Sequence, residues 1–135
     1  MVEKKSKIII VSGPVIVENG KVLLNKHGDT AFYKFCGGRV EDFDFSLIEN
    51  AQREAKEEMG IEIEILDQRP LIMYSQKDGL TDVILVHYLA RRLGEIKPGE
   101  DIREWGWFDV NDLPADLAPN IVPALRHFEF LSITD

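Results

Sequence analysis

The stretch Arg53-Glu54-Ala55-Lys56-Glu57-Glu58-Met59-Gly60-Ile61 constrains this 135-residue chain more than any other. Three glutamates fall within five positions, directly before a glycine able to end a helix. Residues three and four apart on a helix are neighbours. Glu54, Glu57 and Glu58 therefore project from one side, with carboxylates expected near enough to share a cation. At about 100° per residue they form a stripe beside the apolar one of Ile48, Ala51, Ala55 and Met59, not opposite it. That places the acids at the rim of a core, where a cleft can open. Anions this close raise one another's pKa unless a positive charge stands among them. Mg²⁺ or Mn²⁺, hard ions that favour carboxylate oxygen, suit such a site. Glutamate-rich helix faces are also commonly plain solvated surface, so the stripe needs support from elsewhere.

The support lies upstream, in Cys36-Gly37-Gly38-Arg39-Val40-Glu41-Asp42, a double glycine entering a loop before the helix. Together the two stretches resemble the Nudix hydrolase signature, G-x5-E-x7-R-E-U-x-E-E-x-G-U, where U is a bulky aliphatic residue. Gly38 matches the first glycine, and Arg53-Glu54, Glu57-Glu58, Gly60 and Ile61 match the end. The span from Gly38 to Ile61 runs one residue longer than the pattern, and Ala55 is small where U is bulky. Counted from Gly38 the middle acid falls on Asp44, whereas strict register from the back end puts Phe45 there.

The length suits one domain with a real core and is too short for two comfortable ones, so residues 1–135 are expected to form a single domain with the signature at 38–61. With 44% hydrophobic and 30% charged residues, the chain reads as soluble and globular. A net charge of −8 argues against non-specific binding to nucleic acid or an anionic membrane. It would also repel a phosphate-bearing substrate, which makes bound divalent metal close to a requirement for such chemistry. The one cysteine, Cys36, excludes an internal disulfide and fits a reducing compartment. Residues 1–7 are polar and basic, and the apolar run 8–11 is too short for a signal peptide or membrane span. A cytoplasmic location is expected.

Residues 7–17, rich in Ile and Val, predict a strand bent near Gly13-Pro14. Asn19-Gly20 is a two-residue hairpin signal, with 21–25 as the returning strand. Gly28-Asp29 turns the chain again, and 32–35 lead to the double glycine. Ser46 and Glu49 form a capping box for a helix running to about Met59 and stopped by Gly60. Residues 61–65 alternate as a half-buried strand does. Further strands are predicted at 71–74, 82–93 and 104–110, with a turn at Lys77-Asp78-Gly79 between the first two, and a final helix over 121–131. Strands, helix, strands, helix give an α+β or α/β domain with a mixed sheet between helices. The resemblance implies an α/β/α sandwich, the Nudix fold, over nearly the whole chain.

Nudix enzymes hydrolyse a nucleoside diphosphate linked to another moiety, using water and usually Mg²⁺ or Mn²⁺. By the resemblance, Glu54, Glu57 and Glu58 are metal ligands, Glu54 is also a candidate for activating or orienting water, and the Gly38 carbonyl is a further ligand candidate. Arg53 is expected to hold the loop through a carboxylate. Gly37 and Gly38 let the backbone pass close to helix or substrate, and with Arg39 and Tyr33 they are the expected substrate contacts. A further acid often comes from the loop before the last strand. Glu100, Asp101 and Glu104 are the candidates, Glu104 and Glu100 the better pair, with Glu104 taken as an additional metal ligand. Among Phe32, Tyr33, Phe35, Tyr74, Trp105 and Trp107, one or two are expected to face a base, the rest being core. His87 reads as packed or edge-exposed, His27 as within reach of phosphate, His127 as surface, and Cys36 as without a catalytic role.

The expected activity is a metal-dependent pyrophosphohydrolase acting on a small nucleotide, with no stable nucleic-acid or membrane partner. Homodimers are common in the family. Family members that prefer ADP-ribose or NADH carry proline or aromatic-proline motifs downstream of the box, and Ser75-Gln76-Lys77 contains neither. Nucleoside triphosphates and nucleotide sugars therefore remain open. The alternatives are a non-catalytic nucleotide-binding or regulatory module, the same fold running an isomerisation or glycosyl transfer, and a structural module whose acidic helix binds cation.

Overall fold

The computed structural model describes residues 7–76 and 79–132. The turn expected at Lys77-Asp78-Gly79 lies, in its first two residues, outside them, as do most of the polar residues 1–7. The elements are β1 (Lys7–Glu18), β2 (Lys21–His27), β3 (Gly38–Arg39), α1 (Leu47–Met59), β4 (Glu62–Ile65), β5 (Leu71–Gln76), β6 (Thr81–Leu93), β7 (Ile102–Asp109) and α2 (Ile121–His127). The sheet runs β4-β6-β1-β2-β7, with β3 added on β1 and β5 on β6. β1 and β6 are parallel from Lys7↔Thr81 to Ile16↔Ala90, and the other pairs are antiparallel. The sheet is mixed, as expected.

Asn19 and Gly20 both take positive φ, 52° and 76°, which fits the strand-matched hairpin turn between β1 and β2. β1 runs through Gly13-Pro14 without a break, and this is where its partner changes from β3 at Val11 and Ser12 to β2 at Val17 and Glu18. Gly13 is required there by close approach. A Cβ on it would overlap the Cys36 carbonyl, which crosses directly over it.

Successive side chains of a strand face opposite ways, so apolar runs along β1 and β2 feed two cores. Ile16 and Leu23 pack with Cys36, Ile61, Ile63 and Ala90 against Ala55 and Met59 of α1. Val15, Val22 and Leu24 pack with Phe35 against Ile121, Ala124 and Leu125 of α2. A helix on each face of a sheet is the expected α/β/α sandwich.

The α1 termini follow the sequence closely. Ser46 Oγ accepts from the Glu49 N–H at 3.0 Å and Glu49 returns the bond to the Ser46 N–H at 2.9 Å. Gly60 ends the helix at φ 66°, a left-handed conformation suited to glycine, and its Cα faces the Lys97 carbonyl too closely for a side chain. α2 is shorter than the 121–131 expected. It stops at His127, and Glu129 takes φ 66° so that the N–H groups of Phe130 and Leu131 fold back to the Leu125 carbonyl. Both apolar side chains thereby reach the α2 core. Among the described residues no helix is long and apolar enough to cross a membrane.

Candidate functional site

A cavity of about 590 Å³ opens between the acidic side of α1, the Gly37-Gly38 backbone and residues 99–102, and Glu54, Glu57 and Glu58 all line it. Glu58 is only 8% exposed. Its Oε1 accepts from the Gly37 N–H at 3.1 Å, while its Oε2 is buried without a hydrogen-bond partner. Burial pushes its carboxyl up to about 7, against the pull of the Gly37 N–H and the Lys34 charge. Burial also raises Glu54, opposed by the neighbouring Arg53. Its carboxyl lies so close over the Gly38 Cα that a Cβ there would overlap it. Glu57 is more exposed and pairs with Arg53 at 2.9 Å.

This donor set fits a hard divalent cation. The donors are carboxylate oxygens, one of them orphaned inside the protein, and burial holds two of the three acids above their usual range. Yet among the described residues no three His, Cys, Asp or Glu side chains stand close enough together to hold an ion. The expectation of carboxylates already gathered around one point is corrected. Arg53 draws Glu57 outward, the Gly37 N–H fixes Glu58, and like charges repel. Glu54, Glu57 and Glu58, which line the cavity together, are the residues that would hold a cation here.

Among the described residues Arg53 makes no bond to a loop carboxylate, contrary to expectation. Its bonds run along its own helix, to Glu57 at 2.9 Å and Asn50 Oδ1 at 2.7 Å, with Glu54 at 3.3 Å. The link to the loop passes through Asn50, whose Nδ2 donates to Ser12 Oγ at 2.8 Å and to the Gly38 carbonyl at 3.1 Å. One lone pair of the Gly38 oxygen is thus already used. Asp44 is exposed in the 41–46 loop, where its N–H donates to Asp42, and Glu41 is the loop acid whose charge reaches Arg53. Asn50 was not anticipated. Its signal was a polar residue beside the apolar stripe, at a buried position of α1.

Two expected site residues lie elsewhere. Glu104 does not line the acidic cavity. It stands opposite Lys26 on β2, paired with it at 3.5 Å. The register of β2 and β7 shifts between Lys26 and His27, so that Ile102 packs on the α1 side while Phe108, farther along β7, packs on the α2 side. A bulge of this kind reverses the facing of everything beyond it. Glu100 and Asp101, in the turn before β7, line the cavity, whereas Glu104, beyond the shift, does not. Tyr33 is likewise turned to the α2 core, its ring 4.6 Å from that of Phe108 and under the Lys26 ammonium at 4.5 Å. Gly37, Gly38, Arg39 and His27 do line the cavity.

A second cavity, of about 420 Å³, has mainly apolar walls and includes Phe32, Phe35 and Leu85. At its floor the Asn120 amide meets Nε2 of His87 at 2.8 Å. Burial holds the His87 imidazole down to about 4, so the ring is neutral and this nitrogen accepts. Val11, Lys34 and Gly37 are walls of both cavities. Of the other aromatics considered, Tyr74 is exposed and bonded to Asp82, and Trp107 packs on the α1 side. Cys36 is buried beneath the acids with its Sγ 3.9 Å from Glu58, and burial raises its thiol well above the usual range. That excludes a thiolate nucleophile.

Comparisons with known proteins bear on the family and the fold. The NUDIX domain model matches residues 8–128. The chain is 30% identical over 104 residues to an ADP-ribose pyrophosphatase of Methanocaldococcus jannaschii, a match covering 74% of this chain and 61% of that protein. The match thus spans about three fifths of the length of that curated relative. A MutT NUDIX hydrolase from Burkholderia pseudomallei superposes with a TM-score of 0.77 at 26% identity, covering 90% of this chain and 98% of that one. An ADP-ribose pyrophosphatase from Streptococcus suis superposes with a TM-score of 0.68 at 28% identity, covering 87% of each. With the signature glutamates on one helix and the sandwich around them, the chain belongs to the Nudix hydrolase family.

Proposed function

We propose that this protein is a divalent-cation-dependent pyrophosphohydrolase that cleaves a nucleoside diphosphate linked to a second moiety. One observation carries the reading: three signature glutamates and a close-passing glycine backbone line a cavity that shares a wall with an apolar one. The combined space is of the size that small-ligand sites occupy, with a charged end for phosphates and an apolar end for a base. Glu54, Glu57 and Glu58 hold the cation, Mg²⁺ or Mn²⁺, which when bound offsets phosphate charge and acidifies a water. Glu54, half-buried and lying close over Gly38, accepts the proton of the attacking water. The water oxygen bonds to phosphorus as the bridging P–O bond breaks, and the proton released ends on the departing phosphate. Arg53 and Asn50 position α1 against the Gly38 strand. Glu100 and Asp101 stand across the cavity as the candidate fourth acid. ADP-ribose is the first substrate to test, because two relatives bear its name. UDP-sugars and nucleoside triphosphates remain in the same chemical class.

The test is release of phosphate-containing products from ADP-ribose, UDP-glucose and the four deoxynucleoside triphosphates with Mg²⁺. Activity that disappears with EDTA and with Glu57→Gln or Glu58→Gln is expected, while the folded circular-dichroism spectrum persists. A second reading, a non-catalytic nucleotide-binding module, is favoured by the occupation of Glu57 by Arg53. Binding without product would establish it.

A further inference from the structure

Lys34 is placed by its backbone. Its N–H and carbonyl are both bonded to Asn25 of β2, each at 2.9 Å, so the residue is a fixed rung beside the sheet. Tyr33 and Phe35 on either side turn to the α2 core. Lys34 alternates away from them and is a wall of both the acidic and the apolar cavity. Its ammonium makes no hydrogen bond or ion pair among the described residues. Lys26 on the neighbouring strand is the contrast, held by Asp116 at 2.6 Å and Glu104 at 3.5 Å beneath the Tyr33 ring. Lys34 nevertheless stands near enough to the acids for its charge to act on Glu54 and Glu58. The other basic side chains of the acidic cavity, His27 and Arg39, do not reach the apolar one.

A chain with a net charge of −8 needs a local cation wherever a phosphate lies beyond the metal's reach. A nucleotide with its base in the apolar cavity and its scissile bond by the glutamates must pass its first phosphate along the shared wall. We propose that the Lys34 ammonium binds the phosphate attached to the nucleoside, at the passage between the two cavities, and so sets which phosphorus faces the glutamates. This rests on the pyrophosphohydrolase reading and adds a substrate-binding residue to it. A lysine suits the task as a compact, mobile point charge.

The test compares wild type with Lys34→Gln and Lys34→Arg on ADP-ribose, UDP-glucose and the four deoxynucleoside triphosphates, with Mg²⁺ in excess. Lys34→Gln is expected to raise KM about 10- to 100-fold on every substrate the wild type cleaves, with a smaller change in kcat. Lys34→Arg is expected to recover most of the loss. The slope of KM against salt should be shallower in Lys34→Gln than in wild type. A wild type inert toward all six substrates overturns the hydrolase reading and this one with it. An active wild type with KM within twofold in Lys34→Gln overturns the Lys34 assignment alone. So does a fall in kcat at constant KM, which places the lysine's action on the glutamates, or a changed base preference at constant salt slope, which places it on the base.

Discussion

The two cavities share a wall, and burial shifts one ionisable group in each, in opposite directions. In the apolar cavity, the Asn120 amide donates to His87 Nε2 while Nδ1 is left without a hydrogen-bond partner, and the imidazole stays neutral because burial lowers its affinity for a proton. In the acidic cavity, Glu58 keeps one oxygen orphaned and its carboxyl is raised to about 7. A neutral imidazole carries no charge to be offset, so this wall can hold a ligand by shape. An unsatisfied acid is a site whose partner comes from outside. The difference separates an uncharged wall from an acidic one.

Four measurements would break or sharpen that contrast. The largest effect belongs to the acids. Glu58→Gln should lower turnover roughly 10²–10³-fold with the fold intact, and wild-type-like turnover would remove Glu58 from the site. The next is a stability effect in EDTA. The Glu58 pKa is raised in the folded protein from its usual value of 4.5 to about 7. Its protonated form therefore favours folding, fully so below the unfolded pKa, and this contribution is lost as pH rises through 7. Relative to Glu58→Gln, wild type should lose about 3 kcal/mol between pH 4 and pH 9, read by urea denaturation. A flat difference would show that the acid is not held neutral.

The apolar cavity should behave otherwise. Asn120→Ala removes the donor to His87 Nε2 and should cost about 1–3 kcal/mol, unchanged between pH 6 and pH 9 because His87 is already neutral throughout. A pH-dependent cost would contradict the neutral pair. The smallest effect is expected at Glu104. Its pairing with Lys26 is partly exposed and worth about 0–1 kcal/mol, so Glu104→Gln should leave kcat/KM within about twofold. A loss comparable to that of Glu58→Gln would return Glu104 to the metal site.

What could be read from the sequence was what is local. The capping box at Ser46 and Glu49, the stop at Gly60, the Asn19-Gly20 turn and the alternation of Ile61 and Ile63 with Glu62 and Glu64 each depend on neighbours within a few positions, and each is where expected. Glu104 lies elsewhere because a register shift in its own β2–β7 pair, right beside it, decides which face it occupies. Tyr33 and Lys34 are adjacent, and pattern alone does not say which of the two turns to the cleft. The Asn25 pairing decides it, and it joins segments that no periodicity connects. The end of α2 depended on Glu129 adopting a left-handed backbone, which its residue type does not announce. Asn50 could have been found by asking why a polar side chain stands where the helix is buried. The positions of the three glutamates were legible. That Arg53 pairs with Glu54 and Glu57 while the Gly37 N–H holds Glu58 was not.

The most direct measurement is anomalous diffraction from crystals soaked in Mn²⁺ together with a non-hydrolysable nucleotide analogue. The expected result is a manganese peak bonded to oxygens of Glu54, Glu57 and Glu58, with Glu57 released from Arg53. A nucleotide bound in the cleft with no ion beside those three carboxylates would contradict it.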